Sequence, residues 1–254
     1  FQTFITEEGI HPNCPRPSHE KSNIKENISH FDLVKKWELP FEEFKLLKIH
    51  AENRGIIFIS TPYDLNAARF LIDLNCAAVK IASAEMVNFP MLDLVRREDI
   101  PVILSTGMNE WSEIVESVDF LKEHTEKICI LKCTSNYPAS PESINLNGLT
   151  KLKKKFPDTI IVFGGPNYPN EVYTQKKFLS SYRSIDFYIK GEGEIAFVNL
   201  FQNLEKFDFN IESFKKNKTK SGNCHYLIGD ELIAGETLPR IENLDDIPSP
   251  YLSG

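Results

Sequence analysis

The sequence has no run of 18 apolar residues, so no membrane-spanning helix is expected. It has no excess of basic residues either. Lys and Arg number 29 against 36 Asp and Glu, a net charge of −7, and that balance argues against nucleic acid as a partner. Histidine is scarce, at six. The five cysteines are Cys14, Cys76, Cys129, Cys133 and Cys224; the number is odd, and three fall in expected strands or helices. Reduced thiols of a cytoplasmic protein fit this better than a disulfide framework. Cys129 and Cys133 make a C-x3-C pair, but position 136 is Asn where an iron–sulfur triplet would need a third cysteine. Both read as strand or strand-end thiols. The chain opens on FQTF, already strand-like, with neither an initiator Met nor a signal peptide, so its natural start is expected further upstream.

What is present is ordinary globular material: 254 residues, 41% hydrophobic and 26% charged. That suits one large barrel or two modest domains. Four apolar segments recur, IIFISTPYD at 56–64, VKIASAE at 79–85, VILSTGM at 102–108 and ICILKCTSNYP at 128–138. Each ends in polar residues, and the first three run into helical patterns. This is the β-then-α grammar of parallel sheets and (β/α)8 barrels, whose chemistry gathers at the carboxyl ends of the strands. A helix is expected over 40–54, between Pro40 and Gly55, and Asp64 is placed to cap the helix after the first segment. Residues 11–30 read as a loop.

The second half changes character. Strands are expected at 160–165 and 185–190, with helices at 172–182 and from 195 to 207. Residues 208–223 read as a Lys-rich linker or exposed loop, and CHYLIGDELIAGE as a β-hairpin around Gly229-Asp230. A proline-punctuated tail follows. Lys151 and Lys153–Lys155 read as a solvated helix end.

Lys80 interrupts an apolar strand. Alternation puts Lys80 and Ala82 on one face and Val79 and Ile81 on the other. An inward ammonium calls for an anion, a phosphate or a carboxylate; a lysine snorkelling to the rim is the plainer alternative. Ser60, Thr61, Ser83, Ser105, Thr106, Thr134 and Ser135 stand at strand ends, where they either bind anionic oxygen or cap helices. Glu85 either orients a substrate hydroxyl or is simply solvated.

FQTF, FISTPYD, KIASAE, ILSTGM and LKCTSNYPASPESINL, in this order, resemble the sialic acid synthase family over residues 1–154. These enzymes condense phosphoenolpyruvate with an N-acylated amino sugar in nonulosonic acid biosynthesis. The resemblance implies a (β/α)8 TIM-type barrel, present here only as strands 2–6, a homodimer, and a divalent metal, manganese or magnesium. It also implies that Gln2, Thr61, Lys80, Ser83 and Ser105 line a phosphoenolpyruvate site. Tyr63, Glu85 and Tyr137 would stand near the sugar, and Ser135 occupies a position where some members carry Asn. The enol methylene carbon would attack the sugar aldehyde, water would add to the cationic centre, and phosphate would leave, with Lys80 and Glu85 as catalytic groups. Ser83 joins Lys80 only if the strand has ended before it. The Ser-Asp-His-Thr and Glu-Lys-His segments that carry the family's metal histidines do not occur, so the chain is expected to be inactive as it stands.

Residues 155–254, with FPDTIIVFGGPNYPNE, IDFYIKGEGEIAFVNLFQNL and RIENLDDIPSPYLSG, resemble cobalamin-binding radical S-adenosylmethionine enzymes. That resemblance implies a partial Rossmann-like cobalamin-binding segment over 155–207, followed by a linker, hairpin and tail over 208–254. Gly164, Gly165, Gly191, Glu192 and Gly193 would approach the cofactor. The Asp-x-His-x-x-Gly segment and the CxxxCxxC of such enzymes are missing. Three readings stay open: a fragment of a synthase barrel, a cobalamin-binding module fused behind it, or one contiguous α/β domain.

Overall fold

Parallel strands alternating with helices build the first part of the chain. A computed structural model describes residues 1–16, 28–98, 100–135, 144–165, 168–191 and 193–239. It divides into two compact units at Ile144/Asn145. The first unit runs β1 (Gln2–Thr3), α1 (Thr6–Gly9), α2 (His30–Lys35), α3 (Phe41–Asn53), β2 (Thr61–Pro62), α4 (Leu65–Asp73), β3 (Val79–Ile81), a 3₁₀ turn (Ser83–Glu85), α5 (Phe89–Arg97), β4 (Val102–Ser105), α6 (Trp111–Lys122) and β5 (Ile128–Leu131). β1 pairs with β2, and β3, β4 and β5 pair in order, all in parallel. A single bridge from Ser60 to Val79, with the Lys80 N–H donating to the Ser60 carbonyl, joins the two groups.

Local chemistry sets the helix ends. The Asp64 carboxylate accepts from the Ala67 N–H at 2.7 Å and so starts α4; its other oxygen holds the Ile5 N–H at 2.8 Å. The Asn88 side chain caps α5, with Pro90 in the first turn. Gly55, at φ +72°, ends α3 in the left-handed region where glycine is at ease. Val79, Ile81, Val102 and Leu104 are fully buried on the face where α4 packs on β2 and β3, and α6 packs on β5.

The apolar run before β2 departs from expectation. Residues 56–59 lie outside any strand, because β1 offers only two residues to pair with. Phe58 instead buries against Phe44, Leu71 and Cys76. Helices α1 and α2 had no clear signal; the Ser29 hydroxyl caps α2, accepting from the Asp32 N–H at 3.0 Å.

The second unit contains α7 (Asn147–Lys155), β6 (Val162–Gly165), α8 (Val172–Ser181), β7 (Phe187–Lys190), α9 (Glu194–Glu205), α10 (Ile211–Lys216), β8 (Cys224–Ile228) and β9 (Glu231–Ala234). Its sheet has the order β6-β7-β8-β9, parallel between β6 and β7 and antiparallel thereafter. Phe187 and Ile189 face Leu200, Leu204, Phe214 and Tyr226. Tyr188, on the other side, packs with Ile161, Tyr168 and Leu179.

The second unit departs from expectation in part. Residues 208–223 are no linker: they hold α10, whose Phe214 is fully buried. The β8–β9 hairpin turns at Gly229 as expected, φ +56°, but it belongs to the same sheet as β6 and β7. The basic helix end is exposed at Lys151, Lys154 and Lys155 as expected, and only half-buried Lys153 departs from that, its Nζ donating to Asp186 Oδ2 at 2.9 Å and to the Thr159 carbonyl. The compact-unit border assigns α7 to the second unit, whereas the sequence reading closed the first domain at 154.

Candidate functional site

Parallel register decides which side chains share a face. Gln2 lies beside Thr61, Lys80 beside Ile103, and Ile103 beside Cys129. The Ser60–Val79 bridge sets Thr61 next to Lys80. One row therefore carries Gln2, Thr61, Lys80, Ile103 and Cys129, and two residues further along come Tyr63, Ala82, Ser105 and Leu131. Val79 and Ile81 turn the other way, as alternation requires. Lys80 is half-buried, and among the described residues no carboxylate pairs with it. Thr61 and Ser105 are buried near it on that face.

β3 ends at Ile81. Ala82 is extended (φ −66°, ψ 156°), and Ser83 opens the 3₁₀ turn. The condition for Ser83 to escape strict alternation is met. Tyr63 is half-buried and its hydroxyl accepts from Gln2 Nε2 at 3.3 Å. Burial, and after it the Glu85 carboxylate, raise the Tyr63 phenol above its ordinary value. Glu85 Oε2 in turn accepts from Asn88 Nδ2 at 2.7 Å. Glu85 thus lies within electrostatic reach of Tyr63, whose hydroxyl meets the amide of Gln2 at the end of the Lys80 row.

Other strand-end hydroxyls serve the framework. The Ser60 and Thr3 hydroxyls, both buried, share a hydrogen bond of 2.7 Å on the helix-side face. Thr106 Oγ1 donates to the Leu131 carbonyl at 3.0 Å, and Ser135 Oγ to the Gly107 carbonyl at 2.9 Å. Together they tie the tips of β4 and β5. Tyr137 and Glu192 lie outside the described residues. Asn88 was missed by sequence reasoning, although an Asn just before Phe-Pro is a helix-start signal.

In the second unit Gly164, Gly165, Gly191 and Gly193 line a shallow groove of about 460 Å³ with Phe197 at its side. Gly165 and Gly191 take φ of +138° and +71°, so backbone geometry alone accounts for both glycines. Among the described residues no charged side chain lines the groove. Among the described residues no three His, Cys, Asp or Glu side chains converge as a metal site would need, so the donor set for a divalent ion is not found there. No helix of the described residues is long and apolar enough to cross a membrane.

The NeuB family model matches residues 1–165. The match passes through Gly164 and Gly165, which the sequence reading gave to a cobalamin-binding segment, and no likeness to a cobalamin enzyme supports that segment. An N,N'-diacetyllegionaminic acid synthase of Legionella pneumophila is 33% identical over 161 residues, 61% of this chain and 45% of that protein. The human N-acetylneuraminate-9-phosphate synthase is 32% identical over 128 residues, 50% of this chain and 36% of its own length. The chain thus spans less than half the length of these relatives. A solved N-acetylneuraminic acid synthetase of Leptospira borgpetersenii superposes with a TM-score of 0.54 over 97% of this chain and 78% of that one, at 22% identity; at that identity the likeness speaks for the fold alone. With the family match covering well over half of its residues, this chain belongs to the NeuB family.

Proposed function

We propose that the first unit is the phosphoenolpyruvate-binding part of a NeuB-type synthase that makes a nonulosonic acid from an N-acylated amino sugar. Lys80 holds the phosphate or carboxylate as a point charge. Thr61, Ser83, Ser105 and Gln2 position the molecule, while Tyr63 and Glu85 stand on the sugar side. The observation that carries this reading is the half-buried ammonium of Lys80, which no carboxylate pairs with among the described residues, with Thr61 and Gln2 on one side of its row and Ser105 two residues further along on the other. A lysine in that setting gains most from a bound anion.

Titration calorimetry with phosphoenolpyruvate on the whole chain tests it. Binding is expected, and Lys80→Met should weaken it at least ~10-fold, about 1.4 kcal/mol. Equal binding by wild type and variant, or none by wild type, overturns the reading. The family's metal histidines have no counterpart in the sequence. Phosphate release from phosphoenolpyruvate with an N-acyl amino sugar and manganese is therefore expected to stay at background for this chain by itself.

A further inference from the structure

Asn88 uses both ends of its amide. Oδ1 accepts from the Met91 N–H at 3.2 Å and caps α5, while Nδ2 donates to Glu85 Oε2 at 2.7 Å. Among the usual capping residues this pair of tasks suits Asn. Asp offers no donor, and the single short hydroxyl of Ser or Thr has no amide to extend toward a carboxylate. The turn that carries Glu85 is anchored independently. Its Met86 side chain is fully buried, and the Met86 carbonyl accepts from Ser117 Oγ of α6 at 2.9 Å. The Asn88 N–H closes the turn on the Glu85 carbonyl at 3.0 Å. Backbone and side chain of Glu85 are thus held by separate contacts, and among the described residues the Asn88 amide is what hydrogen-bonds the carboxylate.

We propose that Asn88 is a positioning residue that aims the Glu85 carboxylate at the sugar side of the strand-tip site, beside Tyr63. This rests on the reading of Glu85 and Tyr63 as sugar-side groups. The neighbouring phenol supplies a reporter that needs no turnover, because the Glu85 charge contributes to its raised value.

The test follows the Tyr63 resonance through alkaline titration of the full chain labelled with ¹³Cζ-tyrosine. Four proteins are compared: wild type, Asn88→Ser, Glu85→Gln and the double variant. Serine keeps an acceptor for the Met91 N–H and removes the amide donor. The expected result is that Asn88→Ser lowers the Tyr63 midpoint by part of what Glu85→Gln does, because the carboxylate keeps its charge and loses its hold, and that in the double variant the serine adds nothing to Glu85→Gln. Asn88→Thr, a second cap-preserving change, should act alike if the serine variant fails to fold. The proposal is overturned if Glu85→Gln lowers the midpoint and the Asn88 variants leave it at the wild-type value, or if the effects simply add, or if Glu85→Gln moves nothing. Phosphoenolpyruvate affinity measured on the same proteins keeps the two claims apart. Failure of the wild type to bind ends the proposed function, whereas the Tyr63 cycle alone decides the role of Asn88.

Discussion

His225 is a neutral imidazole walled into the second sheet. It is 4% exposed, its ring lies 5.5 Å from that of Tyr168, and neither its Nδ1 nor the Tyr168 hydroxyl has a partner among the described groups. Burial first, and the Lys190 ammonium second, bring the imidazole down to about 4 from 6.5. An unfolded chain takes up the proton near 6.5, a folded one only near 4. The unfolded state therefore binds more protons in that window, and folding stability is full above 6.5 and drains as pH falls toward 4. Urea midpoints of the second unit, measured between pH 7 and 4.5, should fall, and His225→Phe should flatten that slope. An unchanged slope in the variant would assign the acid sensitivity elsewhere. At this scale the sequence told some things and withheld others. The face of Lys80 was legible because a three-residue strand is enough for alternation to act. The buried Ser60–Thr3 hydrogen bond was not, since it joins residues 57 positions apart, and nothing local to FISTP separates a framework hydroxyl from a ligand-binding one.

Helix α10 shows how an element hides. Its sequence IESFKK has two apolar residues among charges, and its surroundings are lysine-rich. Periodicity needs more repeats than that to rise above composition. Yet Phe214 sits edge-to-face with Phe187 at 5.2 Å and with Tyr226 at 5.8 Å, at zero exposure. Behind it Lys215, its ammonium held below the ordinary value mainly by burial, lies 3.7 Å from Asp186. Truncating such a ring forfeits its transfer energy and leaves a cavity. Phe214→Ala is expected to cost about 3–5 kcal/mol, read as a shift in urea midpoint; a loss under 1 kcal/mol would mean that the helix is as loose as its composition implies. The long helices α3, α4 and α6 were legible for the converse reason: each repeats its apolar spacing over several turns and carries a cap or a stop that can be named.

Across the whole molecule, each unit has buried apolar side chains of its own. Val79, Ile81, Val102 and Leu104 belong to the first, and the Phe187–Phe214–Tyr226 cluster to the second. Destabilising one core should therefore leave the other's opening energy untouched. Hydrogen exchange on Phe214→Ala is expected to lose protection in β6 to β8 while β3 and β4 keep theirs; a uniform loss would show a single cooperative block. The repeated strand-helix grammar foretold the first unit, because parallel βα units write their period into the chain. The second unit was foretold piecewise and assembled wrongly. Strand positions are local signals, whereas the antiparallel docking of β8 on β7, Ile189 beside Cys224 and Tyr188 beside His225, is settled only by tertiary contact. One margin of that sheet has a consequence for how the protein behaves in company. Outer strand β9 opens with Glu231, whose carboxylate is gripped by Lys218 Nζ at 2.7 Å, and at the adjoining turn Arg183 clasps Asp230 at 2.7 Å. A visiting peptide would have to undo these charge clasps and dry them before its amides could zip on. The hairpin works as a hem, finished so that the weave stops there and does not recruit thread from its neighbours.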